Sequence, residues 1–197
     1  MSFRVEQDGR LCRITLASPE TRNVLDAETC RKLLWEINTA IQDNATGAIL
    51  VDADGPVFCG GAEPEDGELF SIGERSAKPI VAAVQGVALS GGLALIANAH
   101  VALAAQGTSF GLTAIRDGKW PEGVFRAVAA AIGERRALEL GLTGRVFSTQ
   151  EALAWGLVHQ VAPAIELDDR ATEIATALAN ANPDAIRAAL TKTARRA

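Results

Sequence analysis

An uninterrupted apolar run, Pro79-Ile-Val-Ala-Ala-Val84, constrains the fold of this 197-residue chain more than any other feature. Such a run is typical of a parallel strand that is covered on both faces. It leads into Gly86-Val-Ala-Leu-Ser90, after which Gly91 and Gly92 open a helix of small residues. Because a buried strand passes through glycines into a helix, we predict an α/β fold in which strands and helices alternate.

Shorter patterns extend this alternation to most of the chain. The first two strand-like runs are joined by a turn at Asp8-Gly9, and a polar loop follows them. Asp26 can cap the next helix, whose apolar stripe includes Leu33 and Ile37. We predict strands over residues 3–5, 11–16, 48–51, 57–58, 79–84 and 101–105, and further helices over 93–99, 121–132, 134–142, 168–180 and 184–195.

The organisation of the chain favours one domain. The sequence contains no internal repeat, long linker or low-complexity tract, and its 197 residues suffice for one domain with a real core. We therefore predict a single α/β domain over residues 1–197. Its last part, from about residue 165 to residue 197, is expected to be helical.

The composition excludes several classes of function. A formal net charge of −5 with scattered basic residues argues against a nucleic-acid partner. Polar residues or glycine interrupt every apolar stretch well short of a membrane span, and the N-terminus carries no signal-peptide pattern. Three cysteines, an odd number without metal-like spacing, indicate reduced thiols in a cytoplasm and no metal site.

Two glycine-containing junctions carry the candidate chemistry. The first is Phe58-Cys59-Gly60-Gly61-Ala62, and the second is Ser90-Gly91-Gly92. A helix start presents unpaired backbone N–H groups and the positive end of its dipole. Two such amides aimed at one carbonyl oxygen would stabilise an enolate or an oxyanion. Each junction alone is better explained by close packing, the commoner role of glycine.

Taken together, the motifs resemble the enoyl-CoA hydratase/isomerase (crotonase) superfamily, and they keep that family's order from about residue 22 to residue 163. The motifs occupy residues 58–62, 78–86, 90–92, 110–111, 142–144, 151–152 and 156–158. The resemblance implies a crotonase-like α/β fold of repeated ββα units, with strands in roughly perpendicular sheets and a helical C-terminal region. It also implies a homo-oligomer, a trimer or a hexamer.

The resemblance implies a ligand as well. Family members hold the carbonyl of a coenzyme A thioester with two backbone amides, and the matching positions here are Ala62 and Gly91. Their neighbours Gly61 and Gly92 are therefore expected to belong to the substrate-binding site. The acyl-CoA is a substrate, so no separate cofactor is implied.

A third segment is matched to the coenzyme A moiety. The loop Arg22-Asn23-Val24-Leu25 corresponds to the family segment that lies along CoA, which makes Arg22 and Val24 candidate binding residues. The Arg22 guanidinium is suited to a phosphate. An ordinary surface arginine explains the same residue equally well.

The two carboxylates of family hydratases have no counterpart in this chain. Hydration of an enoyl-CoA needs one carboxylate to activate water and another to handle the α-carbon proton. The resemblance puts these glutamates at the positions of Ala94 and Ala114. Because an alanine side chain cannot transfer a proton, hydratase activity is not expected.

One carboxylate remains a candidate for catalysis. Glu122 follows Pro121, and the matching position holds an aspartate in the family's dienoyl-CoA isomerases and aryl-CoA dehalogenases. Apolar surroundings would raise its pKa, but the helix dipole alone also favours an acid after a first-turn proline. Trp120 is a candidate wall of the acyl pocket or a core residue. Asp117 is a weaker candidate and is better explained as a turn residue before Gly118.

The two histidines are interpreted as structural. Ser90 with His100 could suggest a hydrolase, but the Gly-x-Ser-x-Gly pattern is absent and no acid is placed to orient the imidazole. His159 follows a Gly-Leu-Val turn. Neither histidine is therefore a candidate base.

The segment over residues 63–77 and the C-terminal helices are shorter than the resemblance leads one to expect, which implies a more open pocket. The leading hypothesis is enolate-stabilising, isomerase-type proton transfer on an acyl-CoA, with Glu122 as the single acid/base. Two alternatives stay open: a non-catalytic acyl-CoA binder, and an accessory subunit of a longer homologue. The residues do not indicate which acyl group is bound, or whether its carrier is CoA or an acyl-carrier protein.

Overall fold

A six-stranded sheet forms the centre of the computed structural model, which describes residues 2–63 and 67–194. The strands are β1 Phe3–Asp8, β2 Leu11–Leu16, β3 Leu25–Asp26, β4 Ala48–Ala53, β5 Ala62–Glu63, β6 Ile80–Val84, β7 Val87–Leu89, β8 Val101–Ala105, β9 Ser109–Gly111, β10 Val146–Ser148 and β11 Gln160–Ala162. The helices are α1 Ala27–Gln42, α2 Ile72–Arg75, α3 Gly91–Ala97, α4 Glu122–Ile132, α5 Glu134–Thr143, α6 Thr149–Ala154, α7 Leu167–Ala179 and α8 Pro183–Ala194.

The central sheet has the strand order β1-β2-β4-β6-β8-β11. Only the β1–β2 hairpin is antiparallel, and each later neighbour is parallel. A second sheet of order β10-β9-β7 and the short pair β3–β5 lie outside it. The prediction of an α/β fold is therefore confirmed, and the parallel order reflects helices that return the chain between strands.

The apolar run at β6 is buried on both faces, as its sequence indicates. Successive strand residues point to opposite sides. Val81 and Ala83 pack with α7, in a cluster that includes Ala171 and Ala175. Ile80, Ala82 and Val84 belong to the larger cluster on the other side, together with α1, α3 and α4. The sheet is thus a middle layer between two groups of helices.

Local signals explain how α1 begins and which face it buries. The Asp26 side chain accepts a hydrogen bond from the Thr29 N–H at 2.7 Å, which confirms the predicted N-cap. Leu33 and Ile37 are fully buried against the sheet, while the charged face carries the Glu28–Lys32 ion pair. The helix is therefore held by packing on one side and by its cap at the start.

Two predictions about elements need correction, and a third cannot be compared with the structure. Residues 57–58 form no strand, because the chain turns there and makes only an isolated bridge from Cys59 to Ala88. Pro121 is the residue before α4 and not a first-turn residue of that helix. The predicted end of the last helix at residue 195 lies outside the described residues, since α8 is described to Ala194.

Within the described part of the chain, no helix combines the length and the apolar character that crossing a bilayer requires. The same residues contain no group of three or more histidine, cysteine or acidic side chains placed to hold a metal ion.

Candidate active site

The backbones of Ala62 and Gly91 lie close together. A Cβ built on Gly91 would lie 3.1 Å from the Ala62 nitrogen and 2.4 Å from the Ala62 Cβ. The two segments can approach this closely only because residue 91 is a glycine. The structure thus brings the two glycine junctions together, and we refer to these two N–H groups as the amide pair.

Neither N–H of the amide pair points into its own element. The Gly61 carbonyl accepts from the Leu25 N–H at 3.0 Å, so the Ala62 N–H of the same planar peptide points away from β3. The Ser90 carbonyl accepts from the Ala94 N–H at 3.0 Å, so the Gly91 N–H points away from α3. Both donors are consequently oriented toward space outside their own hydrogen-bond ladders.

The turns on either side of the amide pair depend on unusual backbone conformations. Gly61 has a φ of +141° and Ser90 a φ of +42°, a region that residues with a side chain rarely adopt. Ser90 is held there by its N–H bond to the Gly111 carbonyl at 2.8 Å. Strain of this kind is characteristic of positions where the chain must present a backbone group in a fixed direction.

Gly92 and Cys59 fix the distance between the two junctions. A Cβ on Gly92 would lie 2.7 Å from both the Cβ and the carbonyl oxygen of Cys59. The Cys59 thiol is buried and donates to the Gly61 carbonyl at 3.3 Å. Burial raises the pKa of this thiol to about 12, so it stays protonated and serves as packing.

The predicted CoA segment lies against the first junction. The Gly60 N–H donates to the Arg22 carbonyl at 2.8 Å, and a Cβ on Gly60 would lie 3.2 Å from Val24 Cγ2. The Arg22 side chain is exposed, and Val24 is half-buried. Both predicted binding residues therefore lie beside the turn that carries Ala62, and the guanidinium is accessible to an external anion.

Asn23 organises this segment, although the sequence did not mark it as a candidate. Its side chain is almost fully buried and donates to the carbonyls of Asp54 and Val57 at 3.0 and 2.8 Å. Its oxygen accepts from the Ser18 N–H at 2.8 Å. Asn23 also has a φ of +53°, which asparagine tolerates better than most residues. This tolerance of asparagine for a positive φ was the sequence signal that could have identified the residue.

Ala94 and Ala114 are both enclosed. Ala94 lies on α3 and is 0% exposed, and Ala114, in the 3-10 turn Ala114–Asp117, is 4% exposed. Neither position offers an ionisable group. Asp117 ends that turn before Gly118, which has a φ of +70°, so its position supports the turn interpretation.

Glu122 is exposed and ion-paired, contrary to the apolar surroundings that the sequence led us to expect. Its Oε1 accepts from Arg126 Nε at 2.9 Å, and its Oε2 accepts from Trp120 Nε1 at 3.0 Å. The side chain is 53% exposed. The hydrogen bond from Arg126, and then that from Trp120, hold the pKa of the Glu122 carboxyl below its usual value. At neutral pH it is a carboxylate, able to accept a proton and poorly suited to donate one.

Trp120 orients Glu122 and packs on two helices. Its ring lies 5.0 Å from that of Phe125, centroid to centroid, and a Cβ on Gly141 of α5 would be 3.1 Å from its edge. The residue is 40% exposed. Its observed contacts are therefore with α4, α5 and the Glu122 carboxylate.

A cavity of about 600 Å³ lies between the start of α4 and the segment Glu68–Arg75, which we call the wall segment. Its charged and hydroxyl lining comprises Glu68, Ser71, Glu74, Glu122 and Arg126. Its apolar side chains, Phe70 and Ala127, are nearly buried. Formal charges in the lining are three negative and one positive, so the cavity is net acidic.

An ion pair connects the loop beside this cavity with the strand that presents the Ala62 amide. Lys119 Nζ lies 2.8 Å from Glu63 Oε1. Glu63 directly follows Ala62, and Lys119 precedes Glu122 by three residues. The contact therefore holds the loop before α4 next to the strand that presents one of the two amides.

Both histidines extend the central sheet. The His100 N–H donates to the Ile80 carbonyl at 2.8 Å, while its ring Nδ1 accepts from the Ile80 N–H at 3.0 Å. His159 makes the same two bonds to Ala102, at 2.8 and 3.0 Å. Burial lowers the pKa of His100. These contacts support the structural interpretation.

Comparison with known proteins identifies the family. The enoyl-CoA hydratase/isomerase family model matches residues 64–197. A mevalonyl-coenzyme A hydratase of Aspergillus fumigatus is 31% identical over 88% of this chain and 71% of its own length. The chain therefore belongs to the enoyl-CoA hydratase/isomerase family.

Further relatives and solved structures agree with this assignment. The rat mitochondrial enoyl-CoA hydratase domain-containing protein 3 is 29% identical over 89% of this chain, which spans 64% of that protein. The crystal structure of an enoyl-CoA hydratase from Mycobacterium avium superposes with a TM-score of 0.90 at 27% identity, covering 99% of this chain and 88% of that one. The crotonase-like fold expected from the motifs is thereby confirmed.

Proposed function

We propose that this chain binds an acyl-CoA thioester and polarises its carbonyl with the amide pair. The observation that carries the proposal is the close approach of Ala62 and Gly91, whose N–H groups both point out of their own elements. Two such donors stabilise negative charge on a carbonyl oxygen as it forms. The names of relatives, which include enoyl-CoA and mevalonyl-CoA hydratases, support a CoA thioester as the ligand class.

The reaction that we propose is isomerase-type proton transfer through an enolate. The Glu122 carboxylate is the candidate proton acceptor, because its pairing with Arg126 and Trp120 keeps it ionised. Hydration is not proposed, since Ala94 and Ala114 stand where the resemblance puts the two hydratase glutamates. Arg22 and Val24 would contact the CoA moiety, and Trp120 would orient Glu122.

Exchange of the α-proton tests the proposal. Each of a panel of saturated and unsaturated acyl-CoAs is incubated with the protein in deuterated water, and loss of the α-proton signal is followed by NMR. We expect exchange with the wild-type chain and a loss of at least about 100-fold in Glu122→Gln, as for removal of a general base. Unchanged exchange in that variant would remove Glu122 from the mechanism.

A second candidate function is non-catalytic binding of acyl-CoA. The observation that favours it is the exposure of Glu122, whose carboxylate is already satisfied by two donors. Calorimetry distinguishes the candidates: tight binding of an acyl-CoA without α-proton exchange would support the binder. An accessory role would instead be indicated by co-purification with a longer homologue.

We also propose that the protein self-associates in a reducing, cytoplasmic environment. Three exposed apolar side chains, Trp120, Leu138 and Leu142, support a contact surface on and beside α5. The three cysteines are all free thiols, which supports the compartment. Light scattering coupled to gel filtration measures the oligomeric state. A monomer at all concentrations would contradict the proposed self-association.

A further inference from the structure

The side chain of Asn98 joins three backbone groups around α3. Its Nδ2 donates to the Phe70 carbonyl at 2.7 Å and to the Ala94 carbonyl at 2.9 Å. Its Oδ1 accepts from the Gly73 N–H at 2.9 Å. The residue is 8% exposed, so these bonds are shielded from water. Losing the bond to Phe70 or to Gly73 would deprive a buried backbone group of this partner, whereas the Ala94 carbonyl also accepts from the Asn98 backbone N–H at 3.0 Å.

The three partners belong to two functional parts of the molecule. Phe70 and Gly73 lie in the wall segment, which forms one side of the cavity. Ala94 lies on α3, one turn after Gly91 of the amide pair. Asn98 therefore connects the cavity wall with the helix that presents one of the two carbonyl-binding amides.

The wall segment and the end of α3 are in direct backbone contact. A Cβ on Gly73 would lie 2.1 Å from the Asn98 carbonyl oxygen, so the wall segment approaches the end of α3 as closely as two backbones can. The opposite side of the cavity is formed by α4, which packs directly on α3. Both sides of the cavity thus contact α3: α4 packs on it directly, and the wall segment is bonded to it through Asn98.

We infer that Asn98 is a positioning residue that sets the width of the acyl site and thereby selects the acyl group. It acts through the wall segment and touches no part of the ligand. The inference rests on the proposed function, because it needs an acyl chain in the cavity. Without the three bonds, the wall segment moves away from α3 and the cavity widens. The CoA segment, which Asn23 holds through separate hydrogen bonds, stays in place.

Calorimetry with straight-chain and branched acyl-CoAs of equal chain length, and with free CoA, tests this role. Asn98→Ala should weaken binding of the preferred acyl-CoA about fivefold to tenfold, and shift the preference to bulkier acyl groups, while the Kd of free CoA stays within about twofold. Asn98→Ser keeps a neutral hydroxyl that can still donate to the Ala94 carbonyl four residues earlier, and it should show the same change to a smaller extent. It keeps the test available if the alanine variant does not fold.

Asn180→Ala is the control for the substitution itself. Asn180 also donates to a carbonyl four residues earlier, at 2.9 Å, but it is exposed and lies at the end of α7, outside the cavity lining. A purely structural role for Asn98 would lower the Tm without changing the ratio of acyl-CoA to free-CoA affinity, and an unchanged ratio in both Asn98 variants would overturn the inference. If the wild-type chain bound acyl-CoA no better than free CoA, the proposed function itself would fail.

Discussion

The Cβ of Ala62 occupies the space that a side chain at Gly91 would need, since a Cβ there would be only 2.4 Å away. Gly91→Ala should therefore separate the amide pair, with a loss of stability of about 1–3 kcal/mol from overpacking. Acyl-CoA binding should fall with it. Removing the opposing methyl group in Ala62→Gly/Gly91→Ala should restore part of both losses. Urea unfolding and calorimetry measure the two effects, and a single variant that binds like wild type would contradict the assignment of the pair.

The pairing of Glu122 with Arg126 predicts a particular pH profile. Because the pKa of Glu122 is lowered, its carboxylate stays ionised across the neutral and mildly acidic range. The rate of α-proton exchange should therefore be flat near neutrality and fall only at a pH below the usual glutamate range. Arg126→Met removes the largest cause of the lowered pKa, so the acid limb should move to higher pH. An acid limb near pH 7 in the wild type, unmoved in the variant, would assign the titration to another group.

The buried Asn23 side chain predicts that the CoA segment is sensitive to a substitution that touches no ligand. Asn23→Ala would leave three backbone partners unsatisfied, and about 1–3 kcal/mol of stability should be lost. Binding of free CoA should weaken as the segment loses its anchor. Asn23→Gly tolerates the positive φ and so separates the lost hydrogen bonds from backbone strain. Equal CoA affinity in all three proteins would show that the segment does not contact CoA.

The cysteines should react slowly with thiol reagents in the folded protein. Burial raises the pKa of Cys30 to about 11 and that of Cys59 to about 12, so little thiolate exists at pH 8. Reaction with a disulfide reagent should be slow in buffer and should reach three thiols per chain in denaturant. Rapid labelling of Cys59 without denaturant would mean that the junction beside the amide pair opens in solution.

The acidic cavity predicts discrimination among acyl groups. Thioesters whose acyl group ends in a carboxylate should bind more weakly than neutral ones of the same length, because the lining has an excess of negative charge. Glu74→Gln should reduce this discrimination. Glu36→Gln, on α1 and outside the cavity lining, removes the same charge and serves as the control. Competition binding measures the ratio of the two affinities. A ratio that did not respond to Glu74→Gln would show that the acyl end lies elsewhere.

The sequence predicted the long elements well, because their periodicity extends over enough residues to be read. The strand β6 and the capped helix α1 are examples. The strands β7, β9, β10 and β11 have three residues each, too few for alternation to appear, and they are defined only by their neighbours in the folded chain. The close approach of the glycine junctions was predicted through the family resemblance, since backbone amides leave no trace in side-chain patterns.

The polar side chains were harder to interpret. Glu122 was expected in apolar surroundings, yet Arg126 stands four residues later, and that spacing already predicts an ion pair on a helix. Asn23 and Asn98 bond to backbone atoms that are distant along the chain, 31 and 34 residues away for Asn23 and up to 28 for Asn98. Partners of this kind depend on the tertiary fold, and no local pattern could identify them.

The hydrogen bond that the His100 ring accepts affects how the sheet responds to acid. At His100 an imidazole nitrogen takes the place of a backbone acceptor, and it can do so only while it carries no proton. The pKa of His100 is lower in the folded chain than in the unfolded one, so its contribution to stability is complete above about pH 6.5 and is lost as the pH falls toward the folded-state value. Acidification therefore weakens the sheet at the junction of β6 and β8, where the His100 ring accepts from the Ile80 N–H.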